Sequence, residues 1–192
     1  DGALYLGVYT GTMDAPSLTI KQLAGSKWVD RGSVPSSQSA IRASLVSIDG
    51  KLYALGTNAT RNALQVYEVR SDGIAASGTA LAVDDAANAV LLDGADRIAI
   101  AMGRNRHAEA SLFTLEGATW RGTKVSSDYT SMTSAVSFGG SVYVYTYGSS
   151  GAFLSKVEPS GMVRTQPLPE LADASLGASL VAGEKSLYIC YL

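Results

Sequence analysis

In this 192-residue chain the side chains best suited to chemistry crowd into one short stretch, Arg104-Asn105-Arg106-His107. Arg61-Asn62 repeats the pairing of a guanidinium with a carboxamide. Guanidinium forks hold carboxylates and sulfates in bidentate fashion. Arg61, Asn62, Arg104, Asn105, Arg106 and His107 are therefore the predicted ligand-binding rim. The competing reading is solvated loop charge that keeps the protein in solution. Tyr143, Tyr145 and Tyr147 are a second candidate, because alternate residues of a strand share one face. Such a stripe serves either as a sugar-stacking platform or as core with its hydroxyls reaching partners.

Much other chemistry is excluded. His107 is the only histidine. A Ser-His-Asp triad would have to use it, and no Gly-x-Ser-x-Gly elbow is present. One histidine cannot build a histidine-rich copper or zinc site, so no metal, cofactor or catalytic residue is predicted. Asp84-Asp85 are neighbours, and nothing fixes two carboxylates at the separation that glycoside hydrolysis needs. Gly148-Ser149-Ser150-Gly151 is too short for a phosphate loop and lacks its lysine. The Ser-x-Asp-x-Gly-x-Thr-Trp box of sialidases is absent. Cys190 is the single cysteine, so no internal disulfide forms. It lies in the apolar run Leu187-Tyr188-Ile189-Cys190-Tyr191 and is expected to be buried. A formal net charge of -2 argues against nucleic acid. No apolar run approaches the ~20 residues of a membrane span. Asn58-Ala59-Thr60 fits a glycosylation sequon.

The elements that must position these residues are short strands in a repeat. Leu4-Tyr5, Leu52-Tyr53, Val142-Tyr143 and Leu187-Tyr188 each open an apolar strand, and Arg97 to Gly103 fills the wide gap with the same pattern. The resulting period of roughly 45–48 residues is that of a propeller blade. Before each copy comes a strand and a glycine turn, as in Asp49-Gly50 and Gly139-Gly140, which suit two-residue hairpins. After each copy come two more strands. The unit is thus four antiparallel strands, A to D, which bury both faces only by stacking on neighbours. The fold class is all-β, a β-propeller with about four to five blade equivalents. The blades are set near 1–35, 36–82, 83–128, 129–172 and 173–192. No sustained 3.6-residue stripe competes.

The stretch from Trp28 to Val69 resembles a kelch repeat. It carries Trp28, Val34-Pro35, Asp49-Gly50-Lys51-Leu52-Tyr53, Gly56 and Val66-Tyr67-Glu68-Val69. Trp120 stands where the next repeat's tryptophan belongs, with Ile74 and Met162 in its place elsewhere. Both tryptophans are expected to pack between blades. Kelch-type propellers usually have six or seven blades, so the resemblance implies missing sequence or a second chain that completes the ring. It also implies a ligand site on one loop face. The longer B–C and D–A loops make their face the expected one. The function expected is non-catalytic recognition of a protein or glycan ligand. The alternative is part of a carbohydrate-directed enzyme completed by blades absent from this chain. Alanine- and serine-rich, lysine-poor composition points to a bacterial source, and the repeat type with a non-Met start to its surface.

Overall fold

The computed structural model describes residues 3–12, 15–36, 41–43, 45–58, 60, 62–84, 86–94, 97–104, 109–128, 132–171 and 178–191. They form five sheets. Sheet I holds β1 (Tyr5–Gly11), β2 (Pro16–Ala24) and β3 (Lys27–Pro35). After the short β4 (Ile41–Ala43), sheet II holds β5 (Leu45–Ile48), β6 (Lys51–Thr57), β7 (Ala63–Arg70) and β8 (Gly73–Ala82). Sheet III holds β9 (Ala86–Asp93), β10 (Ile98–Arg104), β11 (Glu109–Glu116) and β12 (Thr119–Ser126). Sheet IV holds β13 (Met132–Phe138), β14 (Ser141–Gly148), β15 (Gly151–Val157) and β16 (Val163–Pro167). A 3-10 turn at Pro169–Leu171 leads to sheet V, made of β17 (Ala178–Ala182) and β18 (Leu187–Tyr191).

Within each sheet consecutive strands pair antiparallel. The first strands of successive sheets lie beside one another, β5 by β9, β9 by β13 and β13 by β17. The last strands do the same on the far side, β3 by β8 and β8 by β12. Sheets ordered this way radiate from a common inner edge.

Period-two alternation gives each sheet two apolar faces. On β10, Ile100 and Met102 pack with Leu55, Leu64 and Val66 of sheet II. The intervening Ala99 and Ala101 pack with Val142, Val144 and Val157 of sheet IV. On β14 the same switch sends Val142 and Val144 towards sheet III and Tyr145 towards Leu168, Leu171, Ala178 and Leu180. The core is therefore a series of layers between sheets, and no sheet could fold alone without exposing one of them.

Turn chemistry shows where the sequence misleads. Asp49-Gly50 and Gly139-Gly140 have positive φ at both positions (50° and 74°, 57° and 73°) and close two-residue hairpins. Asp93-Gly94 and Gly183-Glu184 look alike in sequence but do not close the other two hairpins. The Gly94 N–H donates to the Arg97 carbonyl at 2.6 Å and the Gly183 N–H to the Ser186 carbonyl at 2.8 Å. Each glycine is the last paired residue before its turn. A Cβ there would sit 2.7 Å from the Ala99 Cβ, or 3.0 Å from Tyr188 Cε2.

Three further expectations are corrected. The strand expected before Asp49-Gly50 is β5, and the segment ahead of it, β4, pairs not in that sheet but in parallel with β9 of sheet III. The Tyr9 hydroxyl donates to the Ile41 carbonyl at 3.2 Å, which ties sheet I to the same point. Val163, not Met162, occupies the tryptophan position of sheet IV. Trp28, Ile74, Trp120 and Val163 pair with Leu23, Val69, Leu115 and Val157 in matching register. The 159–161 turn is one residue longer than its counterpart at 117–118, and this displaces Met162 onto the surface. Cys190 is exposed on β18, because sheet V has no described strand or sheet covering that face.

Candidate functional site

Of the predicted rim, Arg61, Asn105, Arg106 and His107 lie outside the described residues, and Arg104 is the last residue of β10. Asn62 is described and is used by its own loop. Its N–H donates to Asn58 Oδ1 at 3.0 Å, and its carbonyl accepts the Val83 N–H at 2.9 Å. Asn58, the sequon residue, also donates from Nδ2 to Asn62 Oδ1. The two carboxamides clasp the ends of the loop. The expected length of the B–C loops holds only in part. Gly148 pairs with Gly151 across a two-residue turn, so in sheet IV this connection is tight.

The tyrosine stripe is core. Tyr145 is fully buried, and Tyr143 and Tyr147 are half-buried against the same cluster. The Tyr145 hydroxyl has no hydrogen-bond partner among the described residues, and burial first, then the neighbouring Tyr147, pushes its pKa up. Trp120 packs between sheets as expected, its indole N–H donating to the Thr79 carbonyl of sheet II at 2.8 Å. Trp28, at the matching place in sheet I, is 43% exposed, because no described sheet precedes it.

A cleft that the sequence did not single out opens between sheets III and IV, on the face of the A–B and C–D turns. It encloses about 350 Å³. Sheet III contributes Arg97 from the A–B turn, Glu116 from the end of β11, Arg121 and Thr123 from β12, and Leu112 and Thr114 from β11. Sheet IV contributes Gly140, Ser141, Val142, Val157, Glu158, Pro159 and Gly161. Glu116 Oε1 lies 3.1 Å from Arg97 Nη1 and 3.6 Å from Arg121 Nη1. Glu158 Oε1 is held by Arg164 at 3.5 Å and Lys156 at 3.8 Å. Cations, carboxylates and hydroxyls thus stand over an apolar floor of Leu112, Val142 and Val157. Nothing in the local sequence announces this group. Arg97 and Glu116 are 19 residues apart and meet only through the β10–β11 register. The hint available was a cation at the start of strand B with an acid near the end of strand C. Sheet II repeats it in Lys51 and Glu68, 3.8 Å apart.

On the opposite face the same two sheets are joined by Asp128. Its Oδ1 accepts the Ser149 N–H and hydroxyl, both at 2.9 Å, and its Oδ2 accepts the Ser150 N–H at 2.7 Å. Hydrogen bonds from the Ser150 hydroxyl, then from the Ser150 and Ser149 N–H groups, hold its carboxyl down at about 2. Gly148 makes the approach possible, since a Cβ there would lie 2.5 Å from the Asp128 carbonyl oxygen. Gly56 is placed the same way, since a Cβ there would lie 2.5 Å from the Pro35 carbonyl oxygen of sheet I.

No family model matches the chain, and no curated protein matches it. Solved structures do. A crystal structure of a fungal lectin described as a six-bladed β-propeller with a novel fucose recognition mode, that of Aleuria aurantia, matches with TM-score 0.67. Identity is 13%, over 85% of this chain and 55% of the lectin. The fold is that of a β-propeller. The N224Q mutant of the same lectin in complex with Fucα1-6GlcNAc gives TM-score 0.66 at 13% identity, over 85% of this chain and 56% of that one. The chain therefore spans a little over half the length of these propellers. The likeness carries the fold, and the radiating sheets are its blades.

Proposed function

We propose that this propeller is a recognition module for carbohydrate, with its binding site in the Arg97–Glu116–Arg121 cleft between the third and fourth blades. One observation carries this reading. Hydrogen-bonding side chains of both charges converge over an apolar floor in a preformed hollow, as small-molecule sites require. A sugar ring offers hydroxyls that donate to a carboxylate and accept from a guanidinium, and C–H faces that rest on aliphatic side chains. The lectins of matching fold, described as recognising fucose, support a glycan as ligand.

A second reading places a protein or glycan ligand on the opposite face, at Arg61, Asn62, Arg104, Asn105, Arg106 and His107. The Asn58–Asn62 clasp favours it, because it ties together the two ends of one loop of that face. Paired variants separate the two. On a glycan array, Arg97→Ala with Arg121→Ala is expected to abolish binding, while Arg104→Ala with Arg106→Ala leaves it intact. The reverse pattern would move the site to the loop face. A protein that binds no glycan in any form overturns the carbohydrate reading.

A further inference from the structure

We infer that the sugar taken by this cleft is an acidic one, bearing a carboxylate or a sulfate that Arg97 and Arg121 bind together. This rests on the cleft being the binding site. Both arginines direct Nη1 at a single oxygen, Glu116 Oε1. Among the described residues Glu116 is the only ion-pair partner of either, whereas Glu158 across the cleft is already attended by Arg164 and Lys156. Two guanidinium groups that share one carboxylate leave the cluster with one uncompensated positive charge. The side chains of Arg97 and Arg121 are 55% and 58% exposed, so their remaining N–H donors face water in the open cleft.

The fork geometry selects the ligand group. Each guanidinium presents donors in a planar pair matched to two oxygens of a carboxylate or sulfate. A neutral hydroxyl accepts one such bond and leaves the shared positive charge as it was. A Cβ on the Gly161 backbone would lie 3.6 Å from Arg121 Nη2 and 3.9 Å from Thr123 Oγ1. Gly161, Arg121 and Thr123 thus line the cleft side by side, and Thr123 supplies a neighbouring hydroxyl donor.

The test is an array that pairs neutral oligosaccharides with their uronate, sialylated and sulfated counterparts. Signal is expected on the acidic members, with neutral counterparts at least about tenfold weaker, the difference expected of hydrogen bonds to a charged group. Binding should weaken as salt rises from low to high ionic strength. Arg121→Gln should erase the preference for acid, and Arg121→Lys should keep the charge but recover only part of it. The thermal midpoint of both variants should match the parent, which excludes misfolding as the cause. Equal binding of neutral and acidic partners overturns the inference and leaves the carbohydrate reading standing. Absence of any signal overturns both. Comparison of uronates with sulfates then tells which anion the fork prefers.

Discussion

The two ends of the junction between the third and fourth blades put carboxylates to opposite uses. At one end Asp128 is saturated. Both its oxygens accept short bonds, two of them from backbone N–H groups that cannot move away without unfolding the turn. At the other end Glu116 is shared by two long, half-exposed arginine side chains that can swing to another acceptor at little cost. A carboxylate fixed by main chain is architecture, and one held by mobile cations is exchangeable. The contrast lets one interface be a joint at one end and carry the proposed binding cleft at the other.

The joint is where a substitution should cost most. Gly148→Ala places a methyl group 2.5 Å from the Asp128 carbonyl oxygen, a backbone atom with no room to yield. The expected loss is about 3 kcal/mol of unfolding free energy, measured by urea titration. Gly161→Ala in the cleft meets only side-chain tips, Arg121 at 3.6 Å and Thr123 at 3.9 Å, and should lose no more than the strain of its φ of 86°, about 1 kcal/mol. Equal losses would mean that the two ends are built alike.

Asp128 itself should follow. Asp128→Asn keeps one acceptor oxygen and loses the charge, and a fall of about 3 °C in thermal midpoint is expected. The pH dependence has a definite sign. The folded-state pKa is lowered from 3.8 to about 2, so the stabilisation is complete above pH 3.8 and is lost as pH falls through 2. Thermal midpoints of parent and variant should therefore converge between these values on acidification. Parallel curves would show that the carboxylate is not what clasps the turn.

The two tryptophans sharpen the comparison from another side. Trp120→Phe removes the indole donor to the Thr79 carbonyl and is expected to cost about 1 kcal/mol. Trp28→Phe, at the same register in the first blade, breaks no described hydrogen bond and should be near neutral in this chain. A large effect at Trp28 would show that its exposed face is covered in solution.

The repeat was legible because strand spacing and hairpin length are local. In all four A–B hairpins the partners Ser47 and Leu52, Asp93 and Ile98, Ser137 and Val142, and Ala182 and Leu187 stand five residues apart. The tyrosine stripe was also readable, since alternation alone puts Tyr143, Tyr145 and Tyr147 on one face. What escaped the sequence depends on register and on neighbours. Gly94 and Gly183 look like turn glycines, yet they are small because Ala99 and Tyr188 come close. Met162 looks like the blade residue until a turn longer by one puts Val163 there. The Arg97, Glu116 and Arg121 cluster exists only once three strands are aligned and a second blade closes the cleft. The sequence instead favoured contiguous charge at 104–107, of which Asn105, Arg106 and His107 lie outside the described residues.

The smallest effect expected is the most telling for the cleft. Glu116→Gln removes the anion from between Arg97 and Arg121 while leaving shape and hydrogen-bonding capacity nearly unchanged. Glu116 is 39% exposed, and ion pairs of this kind contribute well under about 1 kcal/mol. Unfolding free energy should therefore change by less than about 0.5 kcal/mol, whereas affinity for an acidic sugar should change measurably, since the two guanidinium groups lose the negative charge they share. Urea titration and a binding isotherm on the same sample give both numbers. If Glu116→Gln destabilises the fold as much as Asp128→Asn does, the arginines are locked rather than poised. The cleft would then be a second joint, and a ligand would have to be sought on the other face.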